Sequence, residues 1–161
     1  VPVGEETIVA ITGRTIFQTH TDLVSRFRAI EIASKYRSRP RRTSLANGPC
    51  SMFKRKALLD VGGFDPEWYH AEDMEVSLRL LNMGGSIVYA PDALVAHVPE
   101  VGVRRFLHKR RRAARAHVRI VRHYPSRQRS GPGFDFIGSA SIALSIFPII
   151  LLMLFLSLIH I

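Results

Sequence analysis

Gly62-Gly63-Phe64-Asp65-Pro66-Glu67-Trp68-Tyr69-His70-Ala71-Glu72-Asp73 is the stretch on which the reading of this chain turns. A glycine pair ahead of an aromatic residue predicts the end of a short helix, because glycine takes the positive φ of a helix C-cap without steric cost. Asp65-Pro66 predicts a fresh turn. Glu72 and Asp73 then stand where the next helix begins. Acidic residues there satisfy orphan N–H groups and favour the helix dipole, which by itself would account for them. The same placement lowers a carboxylate's pKa and keeps it ionised at neutral pH, as a general base must be. Capping and chemistry are compatible readings of one pair.

Downstream, Met74, Leu78 and Leu81 share a helical face, with Val76, Leu80 and Met83 beside it, predicting a helix over Glu72–Met83. Glu75 and Arg79 form an i,i+4 pair of favourable polarity, and Gly84-Gly85 ends the run. Ser86–Tyr89 reads as a strand broken by Pro91, and Leu94–His97 as a second short strand. Upstream, Thr7–Gly13 reads as a buried strand. Thr21 or Asp22 caps a helix over Leu23–Tyr36, with Leu23, Phe27, Ile30 and Ala33 or Ser34 on its apolar face. Ser38–Arg42 is a solvated basic loop. Asn47-Gly48-Pro49-Cys50 is a turn, Ser51–Phe53 a short strand, and Lys54–Val61 a short helix. Val103–His123 reads as a basic helix ended by Pro125.

The chain has 161 residues and a net charge of +10, unevenly spread. Residues 1–99 carry 12 Lys and Arg against 11 Asp and Glu, whereas residues 100–130 carry 11 basic residues against Glu100 alone. Residues 136–161 contain no Asp, Glu, Lys or Arg. The run Phe136–Ile159 would span about 36 Å as a helix, enough for a bilayer core. It predicts a transmembrane helix over 136–161, a basic juxtamembrane helix and linker over 100–130, and residues 1–135 on the cytoplasmic side of a cell (inner) membrane. Cys50 is the single cysteine, which excludes an intrachain disulfide and a cysteine-based metal site. Phe106 and Tyr124 are the only aromatics interleaved with the basic block, which argues against nucleic acid as a partner.

The ordered set Gly48, Phe53-Lys54-Arg55, Ala57-Leu58-Leu59, Val61-Gly62-Gly63-Phe64-Asp65, Glu72-Asp73, Leu78-Arg79-Leu80, Gly84, Tyr89-Ala90-Pro91 and His97 resembles the second half of the family-two glycosyltransferases, inverting enzymes of the GT-A fold. The resemblance covers about residues 5–123. It implies an α/β fold: the C-terminal part of a GT-A (nucleotide-diphospho-sugar transferase) mixed sheet with helices, followed by the amphipathic basic helix and the membrane helix. Residues 1–99 would be the acceptor-side half of the catalytic domain.

The resemblance also implies roles. Asp73 would be the general base that takes a proton from an acceptor hydroxyl, with Glu72 a supporting carboxylate. Gly48 and Cys50 would line the acceptor side, and Trp68 would stack on a sugar. Arg112 and Arg115 match an Arg-Tyr-Gly-Arg step of related members and would contact the donor's diphosphate; the remaining arginines of that helix suit lipid headgroups. The glutamine and aromatic residue of the polymerising members are missing, which argues against processive synthesis. His97 would help bind the metal-diphosphate group or else be a structural residue; this chain has no other metal candidate. The expected partners are a nucleotide-sugar donor, a lipid-linked or saccharide acceptor, and the membrane. The expected cofactor is a divalent metal, Mg or Mn, held mainly by a donor-binding half with an Asp-x-Asp. The chain has no Asp-x-Asp and begins at Val1, so it is expected to be a fragment without turnover of its own. Two readings compete: a membrane-anchored, non-catalytic basic module binding anionic lipid or nucleic acid, and a remnant that keeps the fold for assembly.

Overall fold

The computed structural model describes residues 7–18, 22–99 and 101–125. Among them a four-stranded mixed sheet runs in the order β2-β4-β1-β3, with β1 Ile8–Phe17, β2 Arg42–Thr43, β3 Ser51–Phe53 and β4 Ser86–His97. The central strands β1 and β4 are parallel, and β3 and β2 flank them antiparallel. Four helices connect or cover the strands: α1 Leu23–Arg37, α2 Arg55–Asp60, α3 Glu72–Asn82 and α4 Val103–His123. A mixed α/β sheet of this kind fits the expected fold class.

Helix α3 is the middle layer. Val76 and Leu80 pack toward the sheet with Val9, Ala10, Ala46 and Ile87. Leu78 faces the other way, into a second cluster with Trp68, Ala71, Ile120 and Tyr124. One face of the C-terminal half of α4 thus joins the core through Ala116 and Ile120, while its N-terminal half is largely exposed. Two glycine-terminated turns hold α3 in place. Gly62 and Gly63 have φ of 85° and 75°, and their N–H groups close a Schellman cap on α2, donating to the Leu59 and Leu58 carbonyls. Gly85 has no room for a side chain, since a Cβ there would lie 2.6 Å from both methyls of Val9.

The most connected polar contact is also on α3. Glu75 is 3% exposed. Its Oε1 accepts from Arg79 Nε at 2.7 Å and from the Tyr124 hydroxyl at 2.6 Å, and its Oε2 from Arg79 Nη2 at 2.6 Å. Arg79 also donates to the carbonyls of Val61 and Gly63. The pair that the i,i+4 spacing predicts on one helix therefore bolts α2's cap, α3 and α4 together. Burial and the neighbouring Glu75 push the Tyr124 phenol up to about 12.

Three expectations are corrected. Pro91 does not break the second strand: β4 is one strand of 12 residues, and its pairing with β1 slips between Thr12↔Tyr89 and Arg14↔Leu94. Residues 90–93 bulge out opposite Gly13, so the proline costs no ladder bond. Strand β1 is not buried throughout: Ile8, Ile11 and Ile16 stay 49%, 42% and 41% exposed, because no described element covers those side chains. The apolar face of α1 does not dock either. Leu23, Phe27 and Ile30 are exposed, whereas Ser25 and Arg28 are buried. The helix sits on β1 through Arg28, which lies over the Phe17 ring, and through Tyr36, which bonds Thr15. The membrane segment expected over 136–161 lies outside the described residues, and among the described residues no helix is long and apolar enough to cross a membrane.

Breaking a buried, hydrogen-bonded ion pair by removing one partner costs about 3–5 kcal/mol. Glu75→Ala is expected to lower unfolding stability by roughly 3 kcal/mol in urea titration. Lys56→Ala, which removes the exposed Lys56–Asp60 pair, is expected to cost about 0.5 kcal/mol or less.

Candidate functional site

Asp73 occupies the first turn of α3, whose N-cap is Ala71 and carries no side-chain cap. The carboxylate does the capping from inside the helix: Oδ1 accepts from the N–H of Met74 at 2.8 Å. That leaves Oδ2 pointing out of the helix, where it accepts from the N–H of Gly48 at 3.1 Å. The loop that holds Gly48 is docked on α3 a second time. Ser77 Oγ donates to the Asp73 carbonyl at 2.6 Å and accepts from the N–H of Ala46 at 3.0 Å. Gly48 is exposed, and a Cβ built there would meet nothing nearer than Asp73 Oδ2 at 3.7 Å, so the surface before the carboxylate is open.

The ionisation of Asp73 departs from the capping expectation. Its pKa is raised above the model-compound value of 3.8, foremost by burial and further by Glu72, while the N–H groups of Gly48 and Met74 pull it down. Sequence reasoning saw only the helix start, which lowers a carboxylate's pKa. It missed the desolvation that packing against the 46–50 loop imposes.

The other expected site residues are placed as follows. Glu72, beside Asp73, is exposed. Cys50 is half-buried near the bulge, its Sγ 3.8 Å from the Ala93 carbonyl. Trp68 is 4% exposed and sits in the α3–α4 core, with the Arg119 guanidinium 4.2 Å from its ring centre and the His123 ring edge-on at 5.2 Å. That corrects the expectation of an open stacking face: residues 66–68 form a short turn that aims the indole inward. His70 then takes a left-handed φ of 76°, the only non-glycine residue to do so among the described residues. The residue left outside is Tyr69, 76% exposed, its ring 4.0 Å from that of His70. Alternation along an irregular turn leaves no periodic signal in sequence, so Tyr69 was not legible there.

His97 ends β4 opposite Phe17, against whose ring it packs at 5.2 Å, and its Nδ1 lies 2.8 Å from the Val98 carbonyl. Gly13, beside Cys50, and Phe17 are four residues apart on β1, about 13 Å at strand rise. The structure brings Asp73 and Gly48 together; it shows no contact between His97 and either. Among the described residues no three His, Cys, Asp or Glu side chains gather as a metal site, so these residues do not by themselves form a metal-binding set. Arg112 and Arg115 are exposed on α4. Arg112 lies on an exposed cationic face of α4 with Arg104, Arg105, Lys109 and Arg111.

Comparison with known proteins gives a family. The sequence model described as glycosyl transferase family group 2 matches residues 4–161. Two curated relatives, both named Pre-mycofactocin glycosyltransferase, from Mycobacterium tuberculosis strains CDC 1551 / Oshkosh and ATCC 25618 / H37Rv, are 43% identical over 44 residues. The matched segment is 27% of this chain and 9% of each relative.

Because folding raises the Asp73 pKa, the folded state binds the proton more tightly than the unfolded state does. The stability this contributes is full below pH 3.8 and is lost as pH rises through the folded-state pKa. The expected outcome is an Asp73 carboxyl 13C titration with its midpoint above 3.8. The stability difference between wild type and Asp73→Asn should shift against the wild type across the same pH window.

Proposed function

The chain belongs to glycosyl transferase family group 2, and on that premise we propose that it carries the acceptor side of a membrane-tethered, inverting glycosyltransferase, with Asp73 as the general base. The observation that carries the reading is the Asp73 carboxylate itself. One oxygen is tied to its own helix, and the other is held by the Gly48 N–H beside an open surface. A carboxylate fixed on a rigid helix start, with a pKa pushed upward by burial, suits proton abstraction from an acceptor hydroxyl.

In the proposed reaction the acceptor oxygen attacks the anomeric carbon of a nucleotide-activated sugar while Asp73 Oδ2 receives the hydroxyl proton. The new oxygen–carbon bond forms as the bond from that carbon to the diphosphate oxygen breaks. The nucleoside diphosphate leaves with the electron pair from the opposite face, so configuration inverts. Glu72, exposed next to Asp73, supports acceptor binding and keeps the Asp73 pKa high. Tyr69, rather than Trp68, offers the aromatic face on the acceptor side. Arg112 and Arg115, both exposed on the cationic helix α4, are the candidate diphosphate ligands, because clustered guanidinium groups suit a leaving diphosphate. A divalent metal, Mg or Mn, would supply further charge at that diphosphate and would be held mainly by residues other than those described.

The membrane tether rests on the apolar run 136–159 and the basic helix before it. Positive-inside bias then puts the catalytic part at the cytoplasmic face of the inner membrane. The acceptor is a saccharide or a lipid-linked hydroxyl at that face. The relatives' name points to sugar transfer as well.

The test is nucleoside diphosphate release by the full-length protein in membranes, screened over nucleotide sugars. Asp73→Asn is expected to lower kcat by about 10²–10⁴-fold, the range for losing a general base. Tyr69→Ala is expected to raise the acceptor KM with a smaller change in kcat. Wild-type turnover in Asp73→Asn, or a product with retained anomeric configuration, would overturn the reading.

A further inference from the structure

The segment Ala46–Ser51 lies between α3 and the sheet, and its successive groups point to opposite sides. The N–H groups of Ala46 and Gly48 face α3, where they meet Ser77 Oγ and Asp73 Oδ2. Asn47 faces the other way. Its N–H donates to Thr12 Oγ1 at 3.2 Å, and its Nδ2 donates to the Tyr36 hydroxyl at 2.8 Å and to Thr15 Oγ1 at 3.2 Å. Its Oδ1 accepts from the Thr12 hydroxyl. Ser51 closes the loop behind it, donating to the Asn47 carbonyl at 2.6 Å.

The socket for Asn47 is costly and specific. Thr12 and Thr15 are 0% and 5% exposed on the central strand β1. Apolar side chains of similar size would bury there without any polar debt, whereas each buried hydroxyl needs a partner. Asn47 supplies partners to both. Tyr36 is fixed in turn by stacking on Tyr89 at 5.8 Å, with the Arg39 guanidinium over both rings. The residue after Gly48 is Pro49, which has no N–H, and the Cys50 N–H is taken by the Asn47 carbonyl at 3.3 Å. Gly48 is therefore the one residue of this turn whose N–H reaches the carboxylate.

We propose that Asn47 is a positioning residue: by pinning the loop to Thr12, Thr15 and Tyr36, it holds the Gly48 N–H on the Asp73 carboxylate. The proposal deepens, and rests on, the reading of Asp73 as the base. A hydrogen bond from Gly48 favours the ionised carboxylate, and burial opposes it. The seat of Asn47 therefore sets how readily Asp73 is ionised when an acceptor arrives. Glu72 is the charged neighbour acting on Asp73, and it lies on the same helix; the loop that faces Asp73 contributes the uncharged Gly48 N–H.

The test needs no turnover. In the 15N-labelled full chain, the Gly48 amide resonance is followed across the ionisation of Asp73, which is read in parallel from its carboxyl 13C shift. In the wild type the Gly48 amide is expected to move with Asp73, and in Asp73→Asn that movement is expected to vanish. In Asn47→Ala the pH-dependent shift of Gly48 is expected to shrink to a small remnant, and the Asp73 midpoint is expected to rise. Tyr36→Phe keeps its ring against Tyr89 and removes one partner of Asn47, so it is expected to show the same two changes to a lesser degree. A purely structural Asn47 would lower stability and leave both readouts of the folded chain where they were, and that result overturns the proposal. If Asn47→Ala does not fold, Tyr36→Phe decides by the same criteria. Turnover retained in Asp73→Asn would sink the base and leave the clamp standing; an unmoved Gly48 titration would sink the clamp and leave the base standing.

Discussion

The structure depends on one buried ion pair. Glu75 has both carboxylate oxygens occupied, by the Arg79 fork and the Tyr124 hydroxyl, and Arg79 also donates to the Val61 and Gly63 carbonyls of the α2 cap. Burying a carboxylate is unfavourable unless each oxygen is paired. The pairing here recruits three separate segments, so the unfavourable desolvation of one side chain becomes a constraint on the whole α2–α3–α4 arrangement. Asp73 lies two residues before Glu75 on the same helix. The direction in which α3 starts, and so the place where the Asp73 carboxylate emerges, follows from how Glu75 and Arg79 clamp the helix.

Two opposing effects meet at Asp73. Helix-start N–H groups and the Gly48 N–H favour its ionised form; burial disfavours it more, and Glu72 adds to burial. The net direction is upward, which makes the carboxylate a better proton acceptor than a free aspartate. A solvent-exposed capping aspartate feels the N–H groups alone, and a buried one without N–H partners feels the desolvation alone. The loop contact separates these cases, and it comes from a residue 25 positions earlier in the chain.

That separation in sequence explains what could be read without coordinates and what could not. The helices over 23–37, 55–60, 72–82 and 103–123 were legible to within a residue or two because their signals are local: Asp22 as cap, glycine pairs as stops, Pro125 beyond the last turn. The sides on which the elements dock were less legible. Leu23, Phe27 and Ile30 have the spacing of a core face, yet the opposing surface of β1 is polar there and α1 docks through Arg28 and Tyr36. Trp68 has the size and chemistry of a sugar platform, but the turn over residues 66–68 aims it at Ile120 and Tyr124. Of the candidate site, Asp73 and Gly48 were legible and are in contact. Asn47 was legible only as a turn residue, because its role lies in partners on β1 and α1 that no spacing rule connects to it.

The ordered residues by which the family is recognised mostly serve the scaffold. Gly62 and Gly63 cap α2, Phe64 packs edge-on against Phe53 at 5.6 Å, Arg79 ties that cap to α3, and Gly84 takes the left-handed φ that ends α3. Glu72 and Asp73 are different: Asp73 caps α3 from inside its first turn, where the alanine N-cap offers no side chain, and it does so from a partly buried place. A carboxylate at Asp73 accepts desolvation that a cap on the surface would avoid. The residues around it are arranged to offset that cost in part, through Gly48 and Met74, without removing it. An acid held against its own solvation at the start of a clamped helix is what the proposed role as a base draws on, since capping alone would not call for burial.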